Sequence, residues 1–378
     1  MIVISGKYNS AKVYVDGYGS IDSDAYGQIT QLLAVPCMEG ANIALMPDVH
    51  AGKGCCVGYT QTFDNTVVPN LVGVDISCGM LVCKVSREYP FDYARLDKLI
   101  RQNIPCGMAH RKAIHKLAKN VDLSNLVANI DRNKVMYSVG SLGGGNHYIE
   151  VDVDENGDRY IVIHSGSRHL GDAVCRYHQQ QAIKRYHDNR KATGDTTRLP
   201  PALAWLEGKG TEDYLNDMRI CASFAYWNRK AMLYEILSGM GIKNHHVLDE
   251  FTTLHNYVDT DERIIRKGAI SLKKDEIAII PMNMRDGAII VRGKGNVESN
   301  LSGPHGAGRL LSRGDAKAKL SMAEYKDTMK GIYTTSVGTS TIDESPMAYK
   351  PMQAILDNIG DMCDIEMTIK PEYNFKAS

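Results

Sequence analysis

The run Val72-Gly73-Val74-Asp75-Ile76-Ser77-Cys78-Gly79-Met80 sets a carboxylate and a thiol three residues apart, in a glycine-flanked turn after an apolar stretch. That spacing lets one turn aim both side chains into one pocket. Two potential anions side by side are costly to bury unless they are paired or bound to a metal. A divalent cation is the natural compensation, with histidines supplied from elsewhere. Taken alone, the stretch reads better as a buried structural thiol beside a turn-capping Asp, since free Cys is often a small core hydrophobe. The rest of the chain decides between the two.

The 378 residues are 43% hydrophobic and 23% charged, which is ample material for a core. Formal net charge is zero, so any nucleic-acid partner must be held by a local basic patch rather than by the global field. The nine cysteines include no CxxC pair; only Cys55 and Cys56 are adjacent. That usage fits reduced thiols and predicts a cytoplasmic protein. No apolar run has the length of a membrane span, and the N-terminal residues lack a signal-peptide pattern.

Periodicity predicts a helix over 26–35, stopped by Pro36, and an apolar strand over 41–46 leading into the loop Pro47-Asp48-Val49-His50. A strand through Leu71, Val72 and Val74 is expected to feed the Asp75–Cys78 turn, with another over 80–85. Helices are expected near 93–103, 109–119, 171–191 and 309–329. A further long helix should be N-capped by Thr211. Single strands are expected over 251–258, carrying His255-Asn256, and over 263–272. No regular βαβ alternation appears, which points to an α+β fold of antiparallel sheets with surrounding helices, organised as one domain over 1–378.

Two glycine-rich stretches carry chemistry. Gly143-Gly144-Gly145-Asn146-His147-Tyr148-Ile149-Glu150 lets backbone N–H groups approach an anion or a metal-bound ligand. Ser302-Gly303-Pro304-His305-Gly306-Ala307-Gly308-Arg309 presents a histidine among small residues, with an Arg suited to phosphate four positions on. His164-Ser165-Gly166-Ser167-Arg168, at a strand-to-helix turn, is a further anion seat. With Asp75 and Cys78, the histidines His147, His164 and His255 make five candidate metal ligands. That is more than one structural zinc requires, and it suits two ions sharing a bridging thiolate. Ligand type alone leaves zinc, manganese and iron open.

Seven motifs in order carry a resemblance. They are Pro47-Asp48-Val49-His50-x-Gly-x-Gly, Gly73-Val74-Asp75-Ile76-x-Cys78-Gly79-Met80, Asn146-His147-Tyr148-Ile149-Glu150, His164-Ser-Gly-Ser-Arg168, His255-Asn256, His305-Gly-Ala-Gly-Arg309 and Pro346-Met-Ala-Tyr349-Lys350. From about residue 44 onward the chain resembles the RtcB family of tRNA-splicing and RNA-repair ligases. The resemblance implies joining of an RNA 3′-phosphate or 2′,3′-cyclic phosphate to a 5′-hydroxyl, with GTP and two Mn²⁺. It implies one ion on Asp75, Cys78 and His147, a second on Cys78, His164 and His255, and His305 as the guanylylated nucleophile. Asn146, Glu150, Ala307, Gly308, Arg309, Tyr349 and Lys376 are implied to line the guanylate pocket, and an archease-type activator is an implied partner. The chain departs from the family pattern at 281–286, at its last residues Phe375–Ser378, and in a short 105–137 segment. The altered loop motivates one alternative, a metal-dependent cyclic phosphodiesterase; the polar, basic helix over 176–191 motivates another, an RNA-end binder without ligation.

Overall fold

The computed structural model describes residues 1–194 and 199–376. Its frame is a seven-stranded, fully antiparallel sheet. The spatial order is Val247–Leu254, Gly79–Val85, Arg159–Ser165, Tyr148–Val153, Cys363–Lys376, Gly287–Gly293 and Ile277–Asn283. A six-stranded sheet stands beside it, in the order Ile2–Ser5, Ser10–Val13, Ile43–His50, Val57–Thr62, Ile264–Lys267 and Asn256–Asp259. Its second and third strands pair in parallel. A small antiparallel ribbon, Ala269–Ser271 with Ser302–Pro304, completes the frame around the site. The α+β expectation holds.

Register gathers chemistry at one end of the large sheet. Gly79 pairs with Ser165 and Leu254, Tyr148 pairs with His164, and Lys376 pairs with Tyr148. Cys78, His147, His164, His255 and Lys376 therefore leave the sheet together. The other face of the frame is apolar. Leu81, Cys83, Ile149, Val151, Ile161 and Ile163 are buried against Leu96 and Ile100 of the helix Tyr93–Asn103 and Met232 and Ile236 of the helix Lys209–Met240. Burial of such side chains is worth about 1.5–3 kcal/mol each and anchors the sheet end that carries the site.

Several local expectations are corrected. The stretch before Asp75 is a 3₁₀ turn, Pro69–Leu71, rather than a strand. Proline opens that turn, and Gly73 (φ +88°) and Ser77 (φ +57°) keep the chain curled. Pro47–His50 is strand rather than loop. Residues 109–119 form no long helix, only a 3₁₀ segment Lys116–Asn120, because His115 caps it by accepting from the Leu117 N–H. The 309–329 stretch is two short helices, Arg313–Lys319 and Met322–Thr328; Ser312 and Ser321 each cap a separate N-terminus. Thr211 lies inside the helix Lys209–Met240, and its hydroxyl donates to the Asn65 carbonyl instead of capping.

Two expected strands are split, and both breaks serve the site. The chain leaves the large sheet at Leu254 and joins the small one at Asn256, so His255 sits at their junction. Gly268 (φ +62°) divides Ile264–Lys267 from Ala269–Ser271. The sheets converge there on a cavity of about 930 Å³.

Candidate metal centre and nucleophile pocket

Asp75 and Cys78 occupy the turn just before Gly79–Val85. His147 precedes Tyr148–Val153, and His164 is the next-to-last residue of Arg159–Ser165. Cys78 Sγ lies 3.4 Å from His147 Nε2 and 3.2 Å from His164 Nε2. His164 Nε2 is 3.3 Å from His255 Nε2, and His147 Nε2 is 3.0 Å from Asp75 Oδ2. Two donor sets result, Asp75–Cys78–His147 and Cys78–His164–His255, each with its ligand atoms within 4.8 Å of one another. They share Cys78. The structure thus brings together all five side chains singled out from the sequence.

The surrounding hydrogen bonds turn the lone pairs inward. His147 Nδ1 lies 2.8 Å from the Leu142 carbonyl and His164 Nδ1 lies 3.2 Å from the Asn146 carbonyl. A carbonyl only accepts, so each Nδ1 carries a proton; the His164 Nε2 then offers its lone pair to the centre, while the His147 Nε2 donates to the Asp75 carboxylate, the proton a bound cation would replace. Burial, then the neighbouring histidines, pushes the His164 and His255 pKa values well down, so both rings stay neutral. Burial pushes Asp75 up, but His147, a hydrogen bond from Cys78 and His255 outweigh it and hold the carboxyl at about 2. Burial and the Asp75 charge push the Cys78 thiol up. A bound cation would reverse that and take the thiolate. Neutral imidazoles facing one another across 3.3 Å, beside a carboxylate and a sulfur, form a donor set that fits divalent metal.

Sequence reasoning missed the groups that hold this set. Arg229, fully buried in the long helix, donates to the Ser77 carbonyl (3.1 Å) and the Ser165 carbonyl (2.7 Å), tying the two ligand turns together. Burial lowers its pKa to about 10. Asn228 accepts from the Gly140 and Ser141 N–H groups and donates to the Ser141 and Gly166 carbonyls. Gly166 is required because a Cβ there would lie 2.2 Å from Asp75 Oδ1.

His305 follows the ribbon strand Ser302–Pro304, with its ring 5.0 Å from that of His255. Its Nδ1 lies 2.6 Å from Asp48 Oδ2, and its backbone N–H donates to the same oxygen at 3.1 Å. Asp48 is fully buried. The arrangement commits Nδ1 and its proton to Asp48 and leaves Nε2 as the ring nitrogen without a partner of that kind among the described residues, as a positioned nucleophile requires. The motif containing Asp48 was visible in the sequence, but its partner lies 257 residues away. Gly308 (φ +72°) lets the chain pass Asp48, since a Cβ there would sit 2.6 Å from the Asp48 carbonyl.

His305 also lines the cavity. Asn146, Glu150, Ala307, Gly308, Arg309, Tyr349 and Lys376 all line it, with Met282 and Met284 of the altered 281–286 loop. At its floor Glu344 faces Lys376 Nζ (2.8 Å), Arg313 Nη1 (2.5 Å) and the Tyr349 hydroxyl (2.6 Å). Burial raises its pKa, but Lys376 and Arg313 prevail and keep the carboxylate at about 2. Glu150 is pushed up to about 7 by burial.

The largely antiparallel frame thus sets a candidate metal-binding cluster that shares Cys78 and a carboxylate-backed histidine around one cavity. Comparison with known proteins makes the class specific. The model of the family described as tRNA-splicing ligase RtcB matches residues 28–131 and 121–377. The chain is 31% identical over 387 residues to the RNA-splicing ligase RtcB of Escherichia coli (strain K12), covering 93% of each protein. It is 25% identical over 450 residues to the tRNA-splicing ligase RtcB of Methanococcus maripaludis, covering 93% of this chain and 90% of that one. The RNA-splicing ligase RtcB2 of Escherichia coli (strain ATCC 25922) is 26% identical, covering 89% and 87%. This chain belongs to the RtcB family.

Proposed function

We propose that the chain is a GTP-dependent RNA ligase that joins 3′-phosphate or 2′,3′-cyclic phosphate ends to 5′-hydroxyl ends. The observation that carries this reading is the coexistence, in one cavity, of His305 backed by Asp48 and the five-residue donor cluster. His305 Nε2 attacks the GTP α-phosphate and pyrophosphate leaves. A phosphoramidate results, which splits one difficult transfer into two easier ones. Asp48 holds the ring through its Nδ1 proton and favours the positive charge that grows on it during attack. Arg309 lines the cavity, and in this reading it neutralises the phosphoryl oxygens. The guanylate then passes to the RNA 3′-phosphate, and the 5′-hydroxyl displaces it.

Asp75, Cys78 and His147 would hold one Mn²⁺, and Cys78, His164 and His255 a second. Bound there, the ions supply charge stabilisation to the transferring phosphoryl oxygens. Asn146, Glu150, Ala307, Gly308, Tyr349 and Lys376 form the guanylate pocket in this reading. The motifs run through one domain, residues 1–378, of which Ala377 and Ser378 lie outside the described residues. An archease-type activator and a cytoplasmic setting belong to the same proposal. Among the described residues no helix is long and apolar enough to cross a membrane.

Incubation with Mn²⁺ and α-labelled GTP tests the reading. Covalent labelling of the wild type and its loss in His305→Ala are expected. Labelling that persists in the variant removes His305 from the role.

A further inference from the structure

Four histidines line the cavity: His50, His164, His255 and His305. Three have roles in the reading above, and His50 has none. It ends the strand Ile43–His50, two residues after Asp48, past an irregularity in that strand's pairing. Its Nδ1 lies 2.8 Å from the Asp48 carbonyl, so that nitrogen carries the proton and Nε2 keeps its lone pair. Lys350 Nζ donates to the flanking Pro47 and Val49 carbonyls, both at 3.1 Å, and pins the strand. The result is a fixed imidazole with an available base nitrogen, on the same strand as the group that orients the nucleophile.

The proposed reaction has a place for such a group. Guanylylation starts from a neutral imidazole and releases pyrophosphate, so the attacking atom has no proton to shed. Guanylate also leaves as an anion. Sealing differs, because a 5′-hydroxyl must lose a proton as it attacks. The carboxylates at hand are already committed, Asp75 to the donor cluster and Glu344 to Lys376 and Arg313. Glu150, at about 7, is tied by the Asn374 side-chain amide. His50 is kept neutral, chiefly by burial.

We infer that His50 is the general base of the sealing step, an inference that rests on the ligase reading. The 5′-O–H bond breaks and its proton moves to His50 Nε2. The oxygen forms a bond to the RNA 3′-phosphorus. The bond from that phosphorus to the bridging oxygen of the guanylate breaks, and GMP departs with the electron pair. Water then takes the proton from His50.

The test uses the full chain with Mn²⁺ and compares His50→Gln with wild type in two assays: labelling with α-labelled GTP, and sealing of a preformed RNA 3′-guanylate to a 5′-hydroxyl strand. General-base groups contribute about 10²–10⁴-fold. The ratio of sealing to labelling should fall about 100-fold. A 5′-thiol strand, with a pKa near the ordinary thiol value of about 8.5, ionises without help. With that strand at pH 8.5 the defect should shrink to within about fivefold. An unchanged ratio with the hydroxyl strand overturns the inference, and so does an equal loss with both strands, which marks His50 as a positioning residue. If the wild type neither labels nor seals, the ligase reading fails instead.

Discussion

At the scale of the residue, the strongest determinant is a single oxygen. Asp48 Oδ2 takes both the Nδ1 proton and the backbone N–H of His305. Replacing Asp48 by Asn keeps the volume but lets the amide donate, so the ring can turn over and present the wrong nitrogen. A comparable change at a serine-protease triad lowers kcat about 10⁴-fold. Asp48→Asn should therefore slow labelling by α-labelled GTP at least 100-fold with little change in thermal midpoint; labelling at wild-type rate would contradict the role. Cys78 is the sulfur common to both donor sets. Cys78→Ala should lower bound manganese, measured by elemental analysis after gel filtration, from about two per chain to one or none, with the far-ultraviolet spectrum unchanged. The donor residues were legible because a polar neighbour marks each of the three histidines, and Asp75 stands three residues from Cys78 in one glycine-flanked turn. The pairing of Asp48 with His305 was not, because hydrogen-bond partnership at that separation leaves no local pattern.

At the scale of the element, the sequence carries strand identity better than strand continuity. The pattern across His255 and across Gly268 reads as one continuous strand each, yet each run divides between two sheets. Periodicity records which face is buried and says nothing about which sheet receives it. The long C-terminal strand Cys363–Lys376 escaped notice because Pro371, two exposed acidic residues and register shifts blur its alternation. The helix Lys209–Met240 was expected, but its reach was not, since Asn228 and Arg229 read as ordinary helix polarity. Arg229 links the Cys78 turn to the end of the His164 strand through two carbonyls. Arg229→Met removes both hydrogen bonds and leaves two buried acceptors unpaired, a cost of about 2–4 kcal/mol. A fall in the urea midpoint is expected, together with weaker manganese retention. Retained midpoint and retained metal would assign both turns to other supports.

At the scale of the whole molecule, Glu344 joins segments far apart in sequence. It meets Lys376 at the end of the C-terminal strand, Arg313 beyond the His305 loop, and Tyr349. It is 2% exposed, so solvent screens these contacts little. Folded, its carboxyl is held at about 2; unfolded, it returns to the ordinary Glu value near 4.5. A depressed folded pKa stabilises the native state above the unfolded value, and that contribution drains away as pH falls from 4.5 toward 2. The shift corresponds to at most about 3 kcal/mol. Glu344→Gln should be less stable than wild type near pH 7 in urea unfolding. The gap should stay constant down to about pH 5 and narrow steadily below it, because the variant has no carboxylate there to protonate. A gap that is independent of pH between 6 and 3 would mean that the charge on Glu344 does not hold the C-terminal strand to the His305 loop, and that packing alone closes the cavity floor.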